Sequence, residues 1–351
     1  VSAFDAVREQ PEAKRLLGSA LAEGPVHAYL FHGPKGVGKR ALARAFARDL
    51  LGTTRAVHPD LYELEALGEM IRIDAIRELR RDLHMRPFEA DRRVYLVLNA
   101  DLMNGDASDA LLKDLEEPPP YAVIILIADD LGPISATIRS RCQLVPFGRL
   151  SERVLREEVD ARAPQLSVEH RLALARVAAG RLDRLDRLLD ESSAARRDTL
   201  LEQARGAYLD PAFEPSTAAA AILESARGRG SDAKDAEEAV VGGLDLTVRD
   251  GEQRVKRAQR GAEREEMLAQ LEELGAWYRD LVVVAVGAES AVMHADRLAD
   301  LRADGTRERL LGAERAVEAV RQTWRELEQF NLAPQLALEA LFVTLARELR
   351  I

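Results

Sequence analysis

The chain has 351 residues, 47% of them hydrophobic, with a formal net charge of −10 and one cysteine, Cys142. That is enough apolar material for two or three packed domains, while no run approaches the ~20 apolar residues of a membrane span and a lone cysteine excludes a disulfide framework or a multi-cysteine zinc site. The acidic balance argues against a dominant DNA-binding surface on this chain alone, and leaves room for a local basic patch or for DNA contact shared with partners.

Residues 1–150 alternate helical and strand patterns, which predicts an α/β domain with a mostly parallel sheet. Ala13–Ala22 reads as a helix with Leu16, Leu17 and Leu21 on one side, and His27–His32 as a short buried strand. Gly33-Pro34-Lys35-Gly36-Val37-Gly38-Lys39-Arg40 follows, then a helix over Ala41–Ala47. Strand, glycine loop and helix in this order are the setting of a phosphate-binding loop. Gly33, Gly36 and Gly38 let backbone N–H groups approach phosphates, the helix N-terminus favours negative charge, and Lys39 would reach the terminal phosphates. The pattern G-x-x-x-x-G-K-[ST] fits at every fixed position but the last. Arg40 stands where a hydroxyl would hold Mg²⁺, and a guanidinium has no acceptor and repels a cation.

Asp74 is the expected N-cap of a helix over Ala75–Met85, with Pro87 marking its end. Val94–Leu98 and Val123–Ile127 are apolar runs typical of central parallel strands. Between them Asp106–Glu117 reads as a helix stopped by Pro118-Pro119-Pro120. Ile134–Arg141 reads as a short helix and Gln143–Phe147 as a final strand. An ATPase of this class needs an acidic pair at the end of the strand that contains Tyr95, one carboxylate supporting Mg²⁺ and the next polarising the attacking water. Here Leu98 and Asn99 occupy those places. Asp101, two residues on, reads as a surface or capping residue. The losses at Arg40 and at Leu98-Asn99 are independent, and together they argue against ATP hydrolysis by this chain.

Thr137-Ile138-Arg139-Ser140-Arg141-Cys142 puts two arginines at the end of a short helix. A planar cation there can stabilise charge developing on a phosphate held by a neighbouring subunit; a surface arginine paired to a carboxylate is the plainer reading of the spacing alone. Cys142, beside a buried strand, reads as a small apolar core residue.

From Ser151 to Leu189 the periodicity is helical, and Glu191-Ser192-Ser193 is a candidate linker. Residues 194–351 are almost wholly helical in pattern, with loops expected at Gly228–Asp232 and around Asp304-Gly305-Thr306. Residues 252–285 form a long charged helix with Leu268, Leu271, Leu274 and Trp277 at helical spacing. Its Lys256, Arg257, Arg260 and Arg264 are interleaved with Glu263, Glu265 and Glu266, which marks a solvated face and not a nucleic-acid site. Leu332–Leu349 is amphipathic and suits packing against sister subunits.

Four segments in this order resemble the bacterial clamp-loader branch of the AAA+ proteins: HAYLFHGPKGVGK at 27–39, RRVYLVLNADLMN at 92–104, ASDALLKDLEEPPP at 107–120 and TIRSRCQLVPF at 137–147. Within that branch the chain looks like the delta-prime chains of DNA polymerase III, which often lose the loop hydroxyl and the acidic pair yet keep the Ser-Arg-Cys arginine. Trp277-Tyr278-Arg279-Asp280-Leu281 also resembles a collar element of actinobacterial-type delta-prime chains. The resemblance is strong over roughly 1–190 and weaker beyond. It implies a P-loop AAA+ domain over 1–150, a small helical lid over 151–192 and an all-α oligomerisation collar over 193–351. It implies Arg141 as a finger serving a neighbouring ATPase, and Arg184, within Gly180-Arg181-Leu182-Asp183-Arg184, as the nucleotide-sensing arginine.

The resemblance also implies partners: the clamp-loader ATPase subunits, the delta subunit, the sliding clamp, and primed DNA through the complex. The chain departs from the pattern at Leu51–His58, where the family's four-cysteine zinc module is missing, so no zinc is expected. It departs again at Ala128-Asp129-Asp130, where active members place a polar sensor. No metal or cofactor is required, and residual ATP or ADP binding in the loop stays open. With no basic-then-apolar N-terminal signal, a cytoplasmic location and no membrane contact are expected. Three readings follow: a non-hydrolysing clamp-loader subunit, an ATP-hydrolysing motor subunit of the same complex, and a helical scaffold with a relic loop.

Overall fold

The computed structural model describes residue 4 and residues 7–55, 57–65, 70–243, 247–330 and 332–350; of residues 191–194 and 329 it describes the backbone alone. Contacts divide the chain into two compact units, one of residues 1–154 with 179–184, the other of residues 155–178 with 185–351.

The first unit is built on β1 (Ala28–His32), β2 (Leu61–Glu65), β3 (Arg93–Leu98), β4 (Ala122–Ala128) and β5 (Gln143–Pro146). They form one parallel sheet in the order β2-β3-β4-β1-β5, with Leu30 opposite Leu126 and Leu144, and Val97 opposite Leu126 and Leu64. Around it run α1 (Pro11–Glu23), α2 (Lys39–Leu51), α3 (Ile73–Leu83), α4 (Gly105–Glu116) and the single-turn α5 (Ala136–Arg139).

Strand side chains alternate between faces, and every residue of β3 and β4 is buried. Tyr29, Phe31, Leu96, Leu98, Ile125 and Ile127 face one core with Leu17 of α1 and Leu42 and Phe46 of α2. Leu30, Tyr95, Val97, Ile124 and Leu126 face another with Ile76 and Leu79 of α3, Leu111 and Leu115 of α4, and Ile138. Two covered faces are the reason these strands read as unbroken apolar runs.

Three expectations need correcting in this unit. β2 had no counterpart among the predicted strands: it pairs only with β3, and its Glu63 and Glu65 lie toward solvent, so the run is not apolar. Asp74 does not cap α3. The N-cap is Arg72, with no side-chain cap, and Asp74 sits in the first turn against Arg77 at 3.2 Å. Of the three leucines assigned to one side of α1, only Leu17 is buried; Leu21 is exposed.

The second unit is all helical: α6 (Glu152–Arg162, its first residues in the first unit), α7 (Val168–Val177), α8 (Leu182–Leu188, also shared), α9 (Glu191–Leu209), α10 (Pro215–Val241), α11 (Val248–Ala285), α12 (Leu298–Asp304), α13 (Leu310–Gln329) and α14 (Pro334–Leu349). Its core gathers Leu201 and Ala204 of α9, Ile222 of α10, Leu274, Trp277 and Tyr278 of α11, and Leu338 and Phe342 of α14.

The break at Asp304-Gly305-Thr306 is where the sequence puts it. Gly228–Asp232 is not a loop but the middle of α10. A Cβ at Gly230 would overlap the Glu263 side chain of α11, so this glycine lets two long helices approach closely. The chain turns instead after Val241, at Gly242-Gly243. Nor is Glu191-Ser192-Ser193 a linker; it is the first turn of α9. Among the described residues no helix is long and apolar enough to cross a membrane.

Candidate functional site

The glycine loop leaves the carboxyl end of β1 and opens α2, with Gly38 as N-cap. Because the sheet is parallel, the ends of β3 and β4 arrive at the same edge, which is where open α/β sheets hold ligands. The fold thus brings Asn99, Asp101 and Asp129 to the loop. Gly33, Gly36 and Gly38 all have positive φ, at 137°, 72° and 97°, the region that glycine enters without strain. At Gly36 the requirement is doubled, since a Cβ there would overlap the Asp183 carboxylate. Leu182 N donates to Gly36 O at 2.8 Å, so residues 182–183 lie directly on the loop. Arg184, next in sequence, is buried.

Lys39 is 4% exposed and paired with Asp129 Oδ1 at 2.7 Å. Its ammonium also donates to Pro34 O at 2.5 Å and to Gly33 O. Burial lowers the pKa of Lys39, with Asp129, Asp101 and Asp183 acting in the opposite direction.

Arg40 bridges the two losses in the motif. Its Nη2 donates to Asn99 Oδ1 at 2.6 Å and its Nη1 to Glu65 Oε1 at 2.6 Å. Asn99 makes this contact from a left-handed conformation, φ 59°, just past the strand. Leu98 turns into the core instead of the loop. A guanidinium thus stands in place of the hydroxyl that would hold Mg²⁺, a buried leucine in place of the Mg²⁺-supporting carboxylate, and an amide in place of the acid that would polarise water.

Asp101 is not a surface or capping residue. It lies in a 3₁₀ turn (Ala100–Leu102), and Asp129 N donates to its Oδ2 at 3.2 Å. Burial, then the neighbouring Asp129, raises its pKa.

Arg141 follows α5. Its Nη1 donates to Thr137 O at 3.0 Å, and its Nη2 meets Glu116 of the α4 terminus. None of these partners belongs to the loop. Arg139 is exposed. Cys142 packs against the second core, and burial pushes its thiol pKa up to about 12, which makes it a poor nucleophile.

The sequence reading found the loop and its defects but missed Glu65, Asp129 and Asp183 as the side chains set against them. The signal available was the unusual Arg40 itself, which calls for an acceptor where the motif normally has a metal.

Residues 9–151 match the family model described as DNA polymerase III, delta subunit. The chain is also similar to the DNA polymerase III subunit tau of Bacillus subtilis, 31% identical over 184 residues, or 47% of this chain and 32% of that protein. The subunit delta' of the same organism is 30% identical over 167 residues, 43% of this chain and 51% of that protein. The subunit delta' of Pseudomonas aeruginosa is 38% identical over 135 residues, 33% of this chain and 41% of that protein. The chain therefore spans about a third to a half of the length of these relatives. The matched segment carries the glycine loop, the β3 end and Arg141, whereas the helical second unit lies outside it.

Proposed function

We propose that the chain works as a delta-prime-like subunit of the DNA polymerase III clamp loader, a stator that turns over no ATP itself. In this reading it joins the ATPase subunits and the delta subunit, presents Arg141 to nucleotide bound by a neighbouring ATPase, and helps place the sliding clamp on primed DNA in the cytoplasm. The helical remainder serves as a lid over 151–192 and an oligomerisation collar over 193–351. The observation that carries the reading is the Arg40–Asn99 hydrogen bond at 2.6 Å, which puts an arginine and an amide where a hydrolysing subunit needs a metal hydroxyl and an acid. The matched delta' relatives support it. Arg141 supports it too: it directly follows the exposed Arg139–Ser140 turn, is about a third exposed, and is held by a surface ion pair with Glu116.

The test is steady-state ATP hydrolysis with clamp and primed DNA present. The chain alone shows no turnover, and the mixture with its ATPase and delta subunits does. Arg141→Ala folds normally and lowers turnover at the neighbouring site by about 10³-fold or more, the scale of an arginine finger supplied in trans. An unchanged rate removes Arg141 from that role. The likeness to subunit tau favours a second reading, an ATP-hydrolysing motor subunit; robust turnover by the chain alone would establish it.

A further inference from the structure

Loss of a metal hydroxyl impairs hydrolysis but need not prevent a phosphate from binding the loop. Lys39 is different. An ammonium has three donors, and here the three acceptors in reach are Gly33 O, Pro34 O and Asp129 Oδ1, the last at 2.7 Å. The side chain is almost wholly buried in this arrangement, so the lysine that would reach a terminal phosphate is turned back onto its own loop.

We infer that Asp129 is a built-in stand-in for a bound phosphate and closes the loop against nucleoside polyphosphates. The carboxylate takes the anion's place on Lys39, and its backbone is held there by the Asp129 N to Asp101 Oδ2 hydrogen bond. A phosphate would have to displace Asp129 and then sit beside it, within the field that Asp101 and Asp183 also exert on Lys39. Asp183 in addition places its carboxylate against Gly36 of the same loop. Like charges at such range oppose entry. The closure concerns the same loop as the proposed function but rests on Lys39 and its partners, not on Arg141.

The experiment is calorimetric titration of the full chain with ADP, with Mg²⁺ and again with chelator. Wild type binds weakly. Asp129→Ser, which opens the cradle and frees a charge-assisted donor, binds ADP about tenfold tighter or more, and adding Lys39→Ala to that variant removes the gain. Asp129→Asn keeps the shape and removes only the charge; it shifts affinity in the same direction and decides the matter if the serine variant fails to fold. ADP binding by wild type as tight as by both variants overturns the inference, as does a gain that survives Lys39→Ala. Either result leaves the Arg141 assay standing, because that assay reads turnover at the neighbour's site.

Discussion

Asp60 is fully buried just before β2, and its carboxylate accepts from the backbone amides of Phe88, Glu89 and Ala90 at 2.7, 2.8 and 2.9 Å. It fixes the turn that feeds β3, with the buried Arg93 3.9 Å away. Burial pushes its pKa up, but the three amides and Arg93 together hold it below the usual value. A carboxylate whose folded-state pKa is depressed stabilises the fold above its unfolded value and loses that contribution as pH falls through the folded one. Asp60→Ala, which orphans three donors, should cost about 2–4 kcal/mol at neutral pH. Asp60→Asn should cost less, and in urea melts its deficit should shrink as pH is lowered below about 4. A deficit that is constant with pH would mean the charge at Asp60 does not matter. At this scale the substitutions at Arg40, Leu98 and Asn99 were legible because a motif defines what should stand there. Their partners were not. Glu65 and Asp129 are far from the loop in sequence, and only the parallel register brings their strand ends beside it.

Helix α10 carries two glycines that look alike in sequence and differ in setting. Gly228 is exposed, with nothing near the place a Cβ would take; Gly230 is buried where α10 meets Glu263 of α11. Together with Ser231 and Asp232 they read as a loop, because propensity counts each glycine as a break. Packing overrides propensity here: 27 residues run unbroken, and the glycine that seems to end the helix is what allows its neighbour to come close. The expected consequence separates the two. Gly228→Ala should stabilise the protein by about 0.5–1 kcal/mol through helix propensity alone. Gly230→Ala gains the same propensity but must push Glu263 aside and should be neutral or destabilising by about 1 kcal/mol. Chemical denaturation of the two variants decides it, and equal stabilisation by both would mean that α10 and α11 are not closely packed at Gly230. β2 shows the opposite error. Its alternating acidic residues hide a strand that is stable because β3 pairs with it, not because its own side chains are buried.

The parallel α/β unit was legible in the apolar runs of β1, β3 and β4, because strands covered on both faces have no polar side to show. The helical second unit was legible as helix but not in its breaks, since a charged helix face says nothing about which turn ends it. The two units also differ in what titrates within them. In the second unit, fully buried His294 places Nδ1 2.9 Å from Asp280 Oδ2 and Nε2 3.5 Å from Glu273 Oε1, and Arg197 binds Glu273 at 3.0 Å. Burial opposes the charged imidazole, but the two carboxylates outweigh it and raise the His294 pKa. A raised folded-state pKa gives stability that is complete below the unfolded value and is lost as pH rises through the folded one, the reverse of Asp60. Both tryptophans of the chain, Trp277 and Trp324, belong to the second unit, so indole fluorescence reports its unfolding alone. The tryptophan-detected urea midpoint should therefore fall from about pH 6 to about pH 9. His294→Gln should lower it at the acidic end and flatten the slope, as an amide cannot carry the charge. A midpoint that instead rises with pH would mean His294 is buried neutral and that Asp280 holds it by a hydrogen bond alone.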